Sequence, residues 1–244
     1  MRIDINCDVG EGVANEPLLM SFISSCNIAC GGHFGNVETI DKTIQLAIKK
    51  KVLIGAHPSF PDKENFGRKI LDISHRELQK SLESQLDVFI ERLSFYNQKL
   101  HHIKPHGALY NLIAVNEKYA KTFINSIHTY SKELFLYVPY HSVIEKVALE
   151  NNIKIKYEAF CDRNYNIDLT LVSRTQKNAL ITNANEVFKH LLLMIEKEKV
   201  KTISGIEKTI KADTFCVHGD TVNSLEIVKN ISKKLKKEGI QVGI

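Results

Sequence analysis

The sequence predicts an α/β barrel. Short apolar segments alternate with amphipathic helical segments about seven times, which is the signature of parallel βαβ units. A length of 244 residues suits one large (β/α) domain. Polar residues of catalytic type follow the C-terminal ends of many different apolar segments, and a barrel gathers those ends at one mouth. An open doubly wound sheet fits the alternation as well, but it spreads such residues along a crevice.

Ile3-Asp4-Ile5-Asn6-Cys7 alternates as a strand does, and Asp8-Val9-Gly10-Glu11-Gly12 follows as a loop with two carboxylates. Cys26-Asn27-Ile28-Ala29 is a second short strand, and Val37, Ile40, Ile44, Ala47 and Ile48 keep helical spacing up to Lys51. Val52 to Ala56 is the clearest strand and exits at His57-Pro58. Ser74-His75-Arg76-Glu77 is a capping box opening a long helix marked by Leu78, Leu82, Leu86, Phe89, Ile90 and Leu93. A strand ending at Ile103 is turned by Pro105 and Gly107, which leaves Lys104 and His106 just past it.

A helix from about Glu117 to Tyr130 leads to the apolar strand Leu134–Val138, stopped by Pro139. Val143 to Ala148 reads as a helix and Lys154 to Glu158 as a strand exiting at Cys161-Asp162-Arg163. From about 164 to 212 the alternation loosens into an elaboration on a single barrel domain spanning 1–244. Within it we expect an extended stretch at Leu169–Val172, a helix from Asn185 to Lys199 and a hairpin about Gly205. Thr214 to Val217 resumes a buried strand exiting at His218-Gly219-Asp220, and the last helix, about Leu225 to Lys237, stops at Gly239.

Composition narrows the function. With 43% hydrophobic and 25% charged residues the chain reads as soluble and globular. Its net charge of +5 is spread over helical faces, with Lys233 to Lys237 on the outside of the last helix, so no nucleic-acid partner is expected. Five cysteines at uneven spacing build no disulfide framework, which points to a reducing compartment. The pair Cys26 and Cys30 has no second pair to complete a thiolate metal site, so buried thiols are expected. No signal peptide and no membrane span are read, and a cytoplasmic location is expected. Neither usual nucleotide-binding glycine loop occurs.

His33, His57, His106 and His218, with Asp8 and Asp220, stand at strand exits, too regularly for scattered core histidines. His75, His101, His128, His141 and His190 lie on helices or at strand starts and are expected at the surface or in caps. Lys104 supplies a cation for an anionic substrate and His106 a proton carrier or metal ligand. Asp8 with His33 and His57 makes a ligand set for a divalent ion. The same groups suit metal-free acid/base work, in which a carboxylate orients an imidazole that activates water, and spacing leaves both open. Arg68, Arg163 and Arg174 stand in loops and can grip a carboxylate or phosphate, with a plain surface role equally open for Arg68.

Eight motifs occur in order: Asn6-Cys7-Asp8-Val9-Gly10-Glu11-Gly12, Asn27 to His33, Gly55 to Asp62, Phe66-Gly67-Arg68, Lys104 to Asn111, Asp162-Arg163-x-Tyr165, Leu171-Val172-x-Arg174 and His218-Gly219-Asp220. Together they resemble the LamB/YcsF family. Gly32, Phe34, Asn36 and Cys161 stand where that family's pattern has Phe, Ala, Asp and Ala. The resemblance implies a TIM-like (β/α)7 barrel akin to the glycoside hydrolase/deacetylase superfamily. It also implies ATP-dependent opening of 5-oxo-L-proline to L-glutamate, with ATP and Mg2+ as cofactor and two companion subunits, B and C.

On that expectation Asp8, His33, His57, Lys104, His106, His218 and Asp220 are catalytic. Asn6, Arg68, Tyr110, Asp162, Arg163 and Arg174 then bind substrate. Lys104 with Arg163 or Arg174 holds phosphoryl and carboxylate charge, while Asp8 and one of the histidines activate water. Two other readings fit the same residues: a stand-alone metal-dependent deacetylase or amidohydrolase, and a non-catalytic substrate-binding partner subunit.

Overall fold

The computed structural model describes residues 1–243. Among the described residues ten strands occur: β1 (Arg2–Val9), β2 (Ser25–Ala29), β3 (Leu53–His57), β4 (His102–Ile103), β5 (Phe135–Pro139), β6 (Ile155–Phe160), β7 (Lys199–Lys201), β8 (Glu207–Thr209), β9 (Thr214–Cys216) and β10 (Gln241–Val242). The α-helices are α1 (Glu16–Leu19), α2 (Val37–Lys50), α3 (His75–Phe95), α4 (Gly107–Val115), α5 (Glu117–Ile127), α6 (Val143–Glu150), α7 (Ala184–Lys197) and α8 (Ser224–Lys237). Hydrogen bonding follows the order β10-β1-β2-β3-β4-β5-β6-β9, and β9 pairs back to β1. β9 lies parallel to both neighbours, with Ile5 opposite Phe215 and Phe215 opposite Ala159. The fold is thus the predicted TIM-like (β/α)7 barrel, with β7 and β8 as a separate antiparallel hairpin.

The chain divides into two compact units. One comprises Asp8–Gly12 and Cys26–Lys156 and is ordered by amphipathic helices. α3 buries Leu78, Leu82, Leu86, Phe89 and Leu93, a stripe at the period of the helix, and packs against α2 and α5. The predicted capping box is present, with Ser74 and Glu77 satisfying each other's backbone N–H groups. Asn36 opens α2 in the same manner, accepting from Thr39 N while Thr39 Oγ1 accepts from Asn36 N. This gives the departure from Asp at position 36 a structural role, since Asn and Asp cap a helix about equally well.

The other unit comprises Met1–Cys7, Val13–Ser25 and the segment from Tyr157 onward. Here α7 packs against α8, and the hairpin turns at Gly205 as predicted. Every β1 residue from Ile3 to Val9 is buried, although the alternation looks half-exposed. The polar face is matched by side chains: Ser24 and Ser25 donate to Asp4, and Asn6 Nδ2 donates to Glu158 Oε1 at 3.0 Å and Thr214 Oγ1 at 2.8 Å. A strand of a closed barrel has no solvent face, so its polar residues survive only with partners.

Several expectations need correction. The stretch Leu169–Val172 forms no strand; a single bridge joins Tyr165 to Leu171, and Leu169 has φ +67°, which an extended strand does not contain. α4 follows directly on His106, where the Pro and Gly suggested only a turn. His190 is neither surface nor cap: it is buried on α7, because the residues after β6 fold over that helix and its ring meets Tyr165 at 6.1 Å. All five cysteines are buried thiols outside any disulfide, and burial pushes the Cys30 thiol up to about 12. No helix among the described residues is long and apolar enough to cross a membrane.

Candidate active site

Five of the predicted residues meet in one buried cluster. Asp8 is the penultimate residue of β1, His57 ends β3, Lys104 follows β4, and His33 lies in the loop after β2. His106 is the residue before α4, positioned by its backbone N–H donating to Pro58 O at 2.9 Å. The C-terminal ends of the strands therefore supply the functional groups, as the barrel predicts. Lys104 and Asp8 form a buried ion pair at 2.9 Å, their side chains 2% and 6% exposed. Asn27 Nδ2 donates to the same Asp8 oxygen at 2.7 Å. His102 in turn donates from Nε2 to Asn27 Oδ1 at 2.6 Å, and burial holds its ring well below the ordinary imidazole range.

The three imidazoles surround Glu11. Its Oε1 lies 2.9 Å from His33 Nε2, 3.3 Å from His106 Nδ1 and 3.9 Å from His57 Nε2. His106 Nδ1 and His57 Nε2 are 2.9 Å apart, and Asp8 Oδ2 is 3.3 Å from that His57 nitrogen. His33 and His106 stack with centroids 3.7 Å apart. Burial, and then the neighbouring His57, holds the His33 ring down to about 2, and burial also keeps His106 well below its usual range.

Two glycines allow this crowding. A Cβ on Gly67, which has φ +62°, would lie 2.9 Å from both His106 Cδ2 and His33 Cβ. One on Gly55 would collide with the His102 ring. The loop after β3 is clamped from α3: Ser59 N donates to Gln85 Oε1 at 3.0 Å, and Gln85 Nε2 donates to Ser59 O at 2.9 Å. The same amide fills the space that a side chain at Gly32 would need. Arg68 is exposed, its guanidinium 4.8 Å over the Phe66 ring, and Phe66 packs edge-on against His33 and His106. Tyr110 is buried on α4.

The remaining predicted residues belong to the other unit and are paired there. His218 donates from Nδ1 to Asp162 Oδ1 at 2.9 Å, while its backbone N–H and the Thr221 hydroxyl donate to Oδ2. Burial works to raise the Asp162 carboxyl, but His218 and these donors prevail and hold it at about 2. The result is a carboxylate-oriented imidazole with Nε2 left for proton transfer. Arg174 reaches Asp220 at 3.4 Å. Arg163 is buried, donates to Val172 O at 2.6 Å and is lowered to about 10 by burial and then by Arg174. Asn6 is spent on Glu158 and Thr214.

The sequence reading passed over Glu11, Asn27, His102 and Gln85. Glu11 had a visible signal: it shares the Asp8 motif at a spacing of three. Asn27 and His102 signalled only as polar residues within otherwise buried strands, and Gln85 as the one amide on an apolar helix stripe.

The LamB/YcsF family model matches residues 3–243. The 5-oxoprolinase A subunit of Campylobacter jejuni subsp. doylei is 38% identical over 246 residues, covering 99% of this chain and 96% of that protein. The corresponding 5-oxoprolinase chain of Bacillus cytotoxicus is 36% identical over 247 residues, covering 99% and 98%. Among solved structures, the lactam utilization protein from Thermus thermophilus superposes with a TM-score of 0.92 at 30% identity, covering 100% and 99% of the two chains. The peptidoglycan deacetylase PdaC from Bacillus subtilis shares the fold alone, with a TM-score of 0.51 at 12% identity over 99% and 86%. The motifs that supply the buried cluster lie within a match that runs almost from end to end, and this chain belongs to the LamB/YcsF family.

Proposed function

We propose that this chain is the A subunit of an ATP-dependent 5-oxoprolinase, opening 5-oxo-L-proline to L-glutamate with companion subunits B and C. The observation that carries the reading is the buried Asp8–Lys104 pair beside His57, in a chain aligned over nearly its whole length with proteins named as 5-oxoprolinase A subunits. A five-membered lactam is a poor electrophile. Phosphorylation of its amide oxygen by ATP with Mg2+ activates the ring carbon; water adds there, the C–N bond breaks as its nitrogen takes a proton, and a second water cleaves the resulting acyl phosphate to L-glutamate and phosphate.

Adding water needs a base that stays ionised in a dry site. Asp8 suits that role by its contacts, because Lys104 and Asn27 donate to one of its oxygens while its Oδ2 faces His57. Burial holds the His106 and His33 rings well below their usual range and makes them poor proton acceptors, which leaves the proton of the attacking water to Asp8. The exposed Arg68, standing on Phe66, suits the substrate carboxylate. A chain with no phosphate-binding glycine loop of its own fits a complex in which companions share the ATP chemistry.

The test is glutamate release from 5-oxoproline by the purified chain, with and without ATP and Mg2+, alone and with B and C. Release is expected only with nucleotide and both companions, and Asp8→Asn should abolish it. Release by the chain alone without ATP would replace this reading with a stand-alone hydrolase. Unchanged release by the Asp8→Asn complex would leave the chain a binding subunit.

A further inference from the structure

We infer that Glu11, His33, His57 and His106 form a divalent-cation site, of a kind suited to Zn2+. The inference stands on the geometry of these four residues and does not depend on the 5-oxoproline reading. Four candidate ligand atoms, one from each residue, lie within 4.8 Å of one another, and all four residues are buried. A tetrahedron with ligands about 2.0–2.2 Å from Zn2+ has edges of about 3.4 Å. The separations of 2.9, 3.3, 3.9 and 2.9 Å around Glu11 Oε1, His106 Nδ1, His57 Nε2 and His33 Nε2 bracket that value.

The tautomers make the stronger argument. His57 Nδ1 lies 2.6 Å from Lys104 O, and a carbonyl can only accept, so this nitrogen carries the proton. His106 Nε2 lies 2.9 Å from Phe66 O and carries its proton for the same reason. With both rings in the neutral form, their other nitrogens carry lone pairs that face each other at 2.9 Å, with the Glu11 carboxylate 3.3 Å from one of them. Two lone pairs and an anion aimed at one point repel unless a cation stands among them. Donation of the second ring N–H to a backbone carbonyl is also how ligating histidines are usually oriented.

His33 adds a second mark. Its Nε2 lies 2.9 Å from Glu11 Oε1 and completes the set, while its other nitrogen, Nδ1, is buried with no hydrogen-bond partner among the described residues. Three imidazoles and one carboxylate favour Zn2+ or a neighbouring transition ion over Mg2+ or Ca2+, which prefer oxygen ligands. Asp8 is not a ligand in this arrangement. Tied to Lys104 and Asn27 and 3.3 Å from His57, it is the base beside the ion. A cation held there supplies Lewis-acid chemistry at the carboxylate cluster.

The experiment strips the full chain with chelator and titrates it with Zn2+, Mn2+ and Mg2+ by calorimetry, using a competing chelator for tight binding. Co2+ absorption serves as a second readout. One Zn2+ per chain is expected, with Mg2+ at least 100-fold weaker and a Co2+ spectrum of tetrahedral intensity. Glu11→Gln and His106→Gln should each weaken Zn2+ binding 10-fold or more, while His190→Gln should leave it unchanged. Circular dichroism identifies variants that fail to fold, and for those the conservative Glu11→Asp replaces Glu11→Gln. Absence of Zn2+ binding to the native chain, or native affinity in folded Glu11 and His106 variants, overturns the site. Metal binding without ring opening would refute only the proposed reaction, and ring opening without metal binding only the site.

Discussion

Replacing Lys104 by Met keeps most of the volume of the stem and removes the charge that faces Asp8. Both side chains are nearly sealed from solvent, at 2% and 6% exposure, so the abandoned carboxylate has no water to turn to. Breaking one partner out of a buried ion pair costs about 3–5 kcal/mol. Asp8 retains Asn27 at 2.7 Å and His57 at 3.3 Å, which places the expected loss at the lower end, about 3 kcal/mol. For a chain of this size that corresponds to a fall of about 6–12 °C in Tm. The assay is urea unfolding followed by circular dichroism, with calorimetry for Tm. Asp8→Asn should cost a similar amount, and the double variant less than the sum of the singles by about 2 kcal/mol, as groups in direct contact do. A Lys104→Met loss below about 1 kcal/mol, or strict additivity in the double variant, would refute the buried-pair argument.

Four further outcomes follow from the same geometry. His190 is held by burial at about 4, below the ordinary value of 6.5, so the unfolded chain takes up its proton first and stability falls as pH drops from about 6.5 to 4. The limb is worth about 3 kcal/mol, and His190→Leu should remove it from a plot of urea midpoint against pH. Asp162 shows the opposite dependence of a depressed acid: its contribution of about 2 kcal/mol is present above pH 3.8 and lost towards pH 2. The destabilisation by Asp162→Asn should therefore shrink through that window, and a constant difference would contradict it. Gly67→Ala places a Cβ at φ +62° against His33 and His106, so a loss of about 1–3 kcal/mol with weakened Zn2+ binding is expected in denaturation and calorimetry. Asn36→Ala should cost about 1 kcal/mol through the lost cap of α2, whereas Asn36→Asp should be neutral or slightly stabilising. Equal effects of the two substitutions would remove the capping explanation for Asn36.

What was legible in the sequence was local. The capping box at Ser74, the apolar stripe of α3, the hairpin at Gly205 and the strand exits at His33, His57 and Lys104 depend on residues within a turn or two of one another. Periodicity and turn chemistry therefore reveal them. The family motifs likewise contain Asp8, His33, His57, Lys104 and His106, which meet in one buried cluster, and the barrel followed from the position of such residues after successive strands.

Other features depend on partners far along the chain. Glu11 gains its place only because His33, His57 and His106 arrive from three separate stretches of the chain, and Asn27, which donates to Asp8, accepts from His102 75 residues away. His190 looked like a surface histidine until the segment after β6 covered it. Lys104 looked like a grip for an anionic ligand, whereas its ammonium lies buried on Asp8. The sequence by itself determined most of the strands and helices, because those choices rest on backbone propensity and the spacing of apolar residues. Only the tertiary structure decided which charges meet, which imidazole nitrogen keeps its proton and which polar atoms lose water, because those depend on long-range packing and on the low polarity of the interior it creates.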